Sequence, residues 1–224
     1  MNLPDMVWHD LDLDLAADER HRAPADLAGK LKGVLAFGEP VVHDCAALAK
    51  AGGEKLDPEL RLLSDRHRFT YIRLALTIRP QEDLLVRFVS LDLALDGGAL
   101  CWSMEPMKVE QELKSKIEAS VSSKLKLKLA EVGGSTKESA EYVVYQPVIE
   151  AFNLQRADPA WELRATTGKQ LSGIQLFHMV VQASKSAQCH ASVSVRADIR
   201  RQGFLFTYRA RRSDQRENVA LVPV

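Results

Sequence analysis

From Phe69 onward the apolar residues recur at every second position. Ile72, Leu74, Leu76 and Ile78 alternate with Tyr71, Arg73, Ala75 and Thr77, the period of a strand with one buried face. Pro80-Gln81-Glu82-Asp83 reads as a turn and Leu84 to Leu95 as the returning strand, closed by Asp96-Gly97-Gly98. The expectation is a hairpin. Four more strand-like runs follow: Ala160 to Thr167, Gln170 to Ala183, Ala191 to Ile199 and Phe204 to Arg211. Their short connections predict antiparallel neighbours in a meander with one dry face and one wet face.

The first third has a different period. Leu27, Leu31, Val34 and Leu35 recur at helical spacing, a second helical stretch is expected from Pro40 to Gly52-Gly53, and Asp57-Pro58-Glu59 opens a third. There a capping carboxylate precedes a proline whose missing N–H costs nothing at a helix start. Together these patterns predict an α+β protein. A short helical N-terminal region (1–66) precedes a mainly antiparallel β domain (67–212), sandwich or meander, and a C-terminal tail (213–224).

Residues 108 to 129 fit two periods. Every even position from Lys108 to Lys128 is polar, whereas Val109, Leu113, Ile117 and Val121 stand four apart. The helix-favouring residues of the first half predict a helix to about Ser120, followed by a strand from about Ser122 to Val132 and a turn at Gly133-Gly134-Ser135. Tyr142 to Leu154, the expected partner, does not alternate cleanly and contains Pro147.

Composition adds bounds. The 224 residues, 46% hydrophobic and 27% charged, suffice for a packed core. Thirty basic residues balance thirty acidic ones, so there is no global basic signature for nucleic acid. Three scattered cysteines do not make a disulfide framework, and no basic-then-apolar leader, lipidation signal or apolar run of membrane-spanning length occurs. The expectation is a soluble cytoplasmic protein without cofactor.

Asp10, Asp12 and Asp14 alternate with leucines; on one strand their carboxylates would stand about 6.6 Å apart, the weak candidate for a metal site. His43-Asp44-Cys45 and Cys189-His190 contain thiol and imidazole at spacings that keep the two apart. Gly133-Gly134-Ser135-Thr136-Lys137 lacks the upstream glycine of a phosphate loop, and no nucleophile elbow is present. The pattern therefore predicts no catalytic constellation.

Charge concentrates at the two ends. Seven arginines, among them Arg200, Arg201, Arg209, Arg211 and Arg212, fall between Arg196 and Arg216 with Phe204, Phe206 and Tyr208 interleaved. Six carboxylates and no lysine or arginine lie between Asp5 and Glu19. The arginines, with Lys124, Lys126 and Lys128, are the expected interaction residues. The function expected is non-enzymatic: an interaction or assembly module docking a protein partner or a second copy through strand edges and charged ends. A membrane-active protein using 108–129 is the alternative. Single-stranded nucleic acid on the aromatic–arginine strand, or a small ligand beside Trp102, Trp161 and Phe177, is the third.

Overall fold

The computed structural model describes residues 7–11, 13–17, 30–31, 33–81, 84–118, 139–166, 169–201, 207–212 and 217–220. Among them the chain is mostly antiparallel β, in two sheets. The N-terminal third contributes strands β1 (Trp8–Asp10), β2 (Leu13–Ala17), β3 (Lys30–Leu31) and β4 (Leu35–Asp44), then helices α1 (Cys45–Ala51) and α2 (Pro58–Leu63). Next come β5 (His67–Ile78), β6 (Leu84–Leu95), β7 (Leu100–Glu105), β8 (Lys108–Glu118), β9 (Ser139–Phe152) and β10 (Ala160–Arg164). The chain ends with β11 (Gly173–Ser184), β12 (His190–Arg201), β13 (Thr207–Arg212) and β14 (Glu217–Ala220).

The five-stranded sheet has the order β1-β4-β5-β11-β7; the nine-stranded sheet runs β3-β2-β13-β12-β6-β10-β9-β8, with β14 also paired to β12. One apolar cluster joins them. Phe37, Leu74, Leu76 and Phe177 come from the first sheet, and Val89, Leu91, Trp161, Leu163, Val193 and Val195 from the second, all 1% exposed or less. Trp161 and Phe177 meet across the layers with ring centroids 5.1 Å apart. The architecture is a sandwich of two sheets facing one core.

Several expectations change. Β5 and β6 are strands at the predicted places, yet they form no hairpin: β5 pairs with β4 and β11, and β6 with β12 and β10. The turn after Ile78 carries the chain from one sheet to the other. Alternation identifies a buried face, and such a face is satisfied equally by a strand stacked opposite as by one alongside. The C-terminal meander fails similarly, since β11 lies in the five-stranded sheet while β10 and β12, before and after it in the chain, lie in the other. Of these four runs, among the described residues, only β12 and β13 pair as successive neighbours. Leu31 and Leu35 lie in strands, while Leu27 is outside the described residues. Pro40 to Asp44 is strand, and helix begins only at Cys45, where the Asp44 carboxylate accepts the Ala47 amide at 2.9 Å. The α2 start is as expected, with Asp57 accepting from the Glu59 amide at 2.8 Å. Residues 1–66 thus supply two short helices and also strands to both sheets. In the expected tail, 217–220 pairs with β12.

The largest local correction concerns 108–118, which is strand rather than helix. It pairs with β9 along its whole length, from Lys108 opposite Glu150 to Glu118 opposite Ser139. Tertiary pairing overrides the helical propensity of its Glu, Gln, Lys and Leu residues. The expected strand 122–132, the turn at 133–135 and Lys124, Lys126 and Lys128 lie outside the described residues.

Candidate functional surface: a free strand edge and a polar row

Β8 is the last strand of the nine-stranded sheet, and among the described residues it hydrogen-bonds on one side only, to β9. Β10 pairs with β9 only between Ile149 and Phe152. From Ser139 to Val148, therefore, β8 is the only strand paired with β9 among the described residues, and the two run on as a ribbon. An unpaired edge of this length presents a row of amides and carbonyls to any further strand.

Register explains why the β9 sequence does not alternate. Val109 stands opposite Ile149 and Glu110 opposite Pro147, so Val148 is an extra residue that shifts the faces of β9. One face of the ribbon then holds the pairs Val109/Ile149, Gln111/Gln146, Leu113/Val144, Ser115/Tyr142 and Ile117/Ala140, without a charge. Lys108, Glu110, Glu112, Lys114, Lys116 and Glu118 all fall on the other. At the Val109/Ile149 pair this face meets the core side of the sandwich: Ile149 is 7% exposed within the core, whereas Val109, at the rim, is 40% exposed.

From Lys108 a row of register partners, all with polar side chains, crosses the whole sheet. Successive pairings run Lys108–Glu150–Glu162–Ser90–Arg196–Arg211–Asp14–Lys30. At its centre Arg196 grips Asp92 with Nε–Oδ2 at 2.9 Å and Nη2–Oδ1 at 3.0 Å, and the Ser90 hydroxyl donates to the same carboxylate at 2.9 Å. The hydrogen bond to Asp92 is the main reason the Arg196 pKa is raised. Arg164 pairs with Glu162 at 2.5 Å and lies over the Phe88 ring.

The predicted interaction arginines divide accordingly. Arg200 and Arg201 are in β12 and Arg209, Arg211 and Arg212 in β13. Register sets Arg209 opposite Asp198 and Arg211 opposite Asp14, so the acidic opening and the arginine strand are sheet neighbours within one chain. Asp10 and Asp14 belong to different sheets, and Asp12 lies outside the described residues. Asp10 and Asp14 therefore do not share one strand, and the Asp10 carboxylate meets Arg79 at 3.5 Å. No group of three metal-ligating side chains occurs among the described residues. Phe204 and Phe206 lie outside them.

A cleft of about 390 Å³ opens beside α1 and α2, lined by residues including Asp44, Cys45, Asp65, His67, Arg68 and Lys185. His43 is exposed near the end of β4 while Cys45, the first residue of α1, is buried, so the His43-Asp44-Cys45 run brings no imidazole to the thiol. Burial, aided by the Asp44 charge, pushes the Cys45 thiol up to about 11; burial takes Cys101 to about 12 and raises Cys189 as well. Such thiols are protonated and shielded, the opposite of a reactive nucleophile. Two outcomes follow. In the native protein a thiol reagent at about pH 8 reacts with all three slowly, and fast labelling needs denaturant. Unfolded thiols ionise near about 8.5, so the thiol contribution to stability is whole below that pH and shrinks as pH rises toward the folded values. Urea midpoints measured on either side of that pH check the sign.

His178 belongs to no sequence motif, yet its Nδ1 lies 2.6 Å from the Tyr71 hydroxyl on the outer side of the five-stranded sheet. The Tyr71 pKa is raised mainly by burial. The two residues are 107 apart in the chain, and only the β5–β11 register brings them together. No helix among the described residues is long and apolar enough to cross a membrane. No protein-family model matches the chain, and no curated protein matches it.

Proposed function

We propose that this protein is a non-enzymatic docking module that adds a partner strand to the free edge of β8. The observation that carries the reading is an eleven-residue strand that, among the described residues, is paired on one side only, at the end of a nine-stranded sheet. Main-chain hydrogen bonds along such an edge supply affinity, and the alternating side chains supply selectivity. The raised, buried thiols and the ion-paired Asp10 support a non-catalytic reading of the residues with the most reactive chemistry.

Alternate amides of β8 face β9 and the open edge. One of the substitutions Lys114→Pro and Ser115→Pro therefore deletes an edge amide while sparing the β9 ladder, a position where proline is tolerated. Of the pair, the variant that keeps the wild-type melting curve is expected to lose self-association and capture of proteins from a lysate of the source cells. Undiminished association in both variants, or a wild-type monomer that captures nothing, overturns the reading.

Membrane insertion is the second reading, favoured by the segregation of charge to one face of the β8–β9 ribbon. Dye release from liposomes supports it, and intact liposomes under every activating condition reject it.

A further inference from the structure

Resting on the docking role of β8, the charge order along that strand identifies a partner. The charged positions read Lys108, Glu110, Glu112, Lys114, Lys116, Glu118. Reversed, this order is Glu, Lys, Lys, Glu, Glu, Lys, the complement of itself. We infer that the edge of β8 pairs with β8 of a second copy of this chain, antiparallel and centred on Leu113.

In that register Lys108 stands opposite Glu118 of the partner subunit, Glu110 opposite the partner's Lys116 and Glu112 opposite the partner's Lys114, each pair occurring twice. The other face sets Val109 opposite the partner's Ile117, Gln111 opposite the partner's Ser115, and Leu113 opposite its own copy. Residues directly opposite share a face and stand about 4.5–5.5 Å apart at Cβ, so unlike charges stabilise and like charges destabilise the pair. A shift of two residues in one direction sets Lys108 opposite the partner's Lys116; in the other it sets Glu110 opposite the partner's Glu118. Parallel in-register pairing sets every lysine beside a lysine. The two-residue alternatives and the parallel arrangement are thus disfavoured by charge, as a self-pairing edge requires. The extra residue of the ribbon, Val148, is in β9, so β8 itself has no insertion to interrupt the match. Within one chain Lys108 and Glu110 already form an ion pair at 2.5 Å with half-exposed side chains, and pairing adds the partner's charges to that network. The symmetry is isologous, the form that closes at two subunits instead of growing into a fibre.

The test uses two full-length double variants. Lys114→Glu with Lys116→Glu makes β8 acidic at four central positions; Glu110→Lys with Glu112→Lys makes it basic there. Each alone sets four like pairs in the homodimer and is expected to weaken the dimer by roughly tenfold to a hundredfold in Kd. Mixed one to one, the two variants restore all six unlike pairs, so a heterodimer of wild-type affinity is expected by light scattering and native mass spectrometry. Recovery on mixing also shows that both variants fold. Variants that dimerise as well alone as together, or that fail to recover on mixing, overturn the inference. A wild-type monomer that still captures another protein through the β8 edge overturns self-pairing and leaves the docking role standing.

Discussion

Replacing Trp161 by alanine is expected to destabilise the protein by about 3–5 kcal/mol, measured as a fall in the urea midpoint with unchanged slope. Trp161 is fully buried on β10, and its ring meets Phe177 of the opposite sheet at 5.1 Å. Its indole N–H donates to the Pro106 carbonyl at 3.0 Å. Truncation therefore opens a cavity between the layers and also leaves a part-buried carbonyl without its donor. Against a total of about 5–15 kcal/mol for ordinary domains, the loss is a large share of stability. Phe177→Ala is expected to be severe but less than additive with Trp161→Ala, because the two remove one shared contact. Full additivity would contradict the cross-sheet joint.

The second large effect is at Gly97, between β6 and β7. Its φ is +61°, a region costly for residues with a Cβ. A Cβ there would also collide with the Gln188 carbonyl oxygen and lie 2.8 Å from the Cys189 sulfur. The Gln188 obstacle is backbone, held where the Asp96 carboxylate accepts the His190 amide at 2.5 Å and the Asp96 amide donates to the His190 carbonyl at 3.1 Å. Gly97→Ala is expected to cost at least about 2 kcal/mol. Gly98→Ala, also at positive φ (+75°) but with nothing near its Cβ, is expected to cost only the backbone share. Equal losses at the two glycines would place the whole effect in backbone strain and remove the close approach as a cause.

Much of this sandwich was legible in the chain, at the level of which residues face inward. The alternating Ala191, Val193, Val195, Ala197 and Ile199 are all buried, and Leu74 and Leu76 are in the core as their spacing implies. What spacing does not encode is the identity of the neighbour. The faces of β5 and β6 are equally apolar whether the strands pair or stack, so the turn at Pro80 looked like a hairpin and is a passage between sheets. Likewise Asp10 and Asp14 are four residues apart in one alternating run, yet a change of sheet separates them.

The edge at β8 was partly legible. The polar residues at every even position from Lys108 fit a strand, but Val109, Leu113, Ile117 and Val121 also satisfy a helix, and local propensity favours that reading. The lysines expected to interact, Lys124, Lys126 and Lys128, lie beyond β8. Eleven paired positions with β9 settle the contest, and nothing within 108–118 announces them. The faces of β9 were obscured by one residue, Val148, whose insertion changes the parity of every position before it. Tyr71 and His178 were invisible as a pair because their meeting depends wholly on long-range register.

Amide hydrogen exchange along 108–118, followed from dilute to concentrated protein, tests the pairing edge most directly. The account predicts that the alternate amides facing β9 are protected at every concentration, while the intervening set gains at least tenfold protection as the protein associates. Fast exchange of that intervening set in a fully associated sample would show that the subunits meet elsewhere, and the proposed edge would fall.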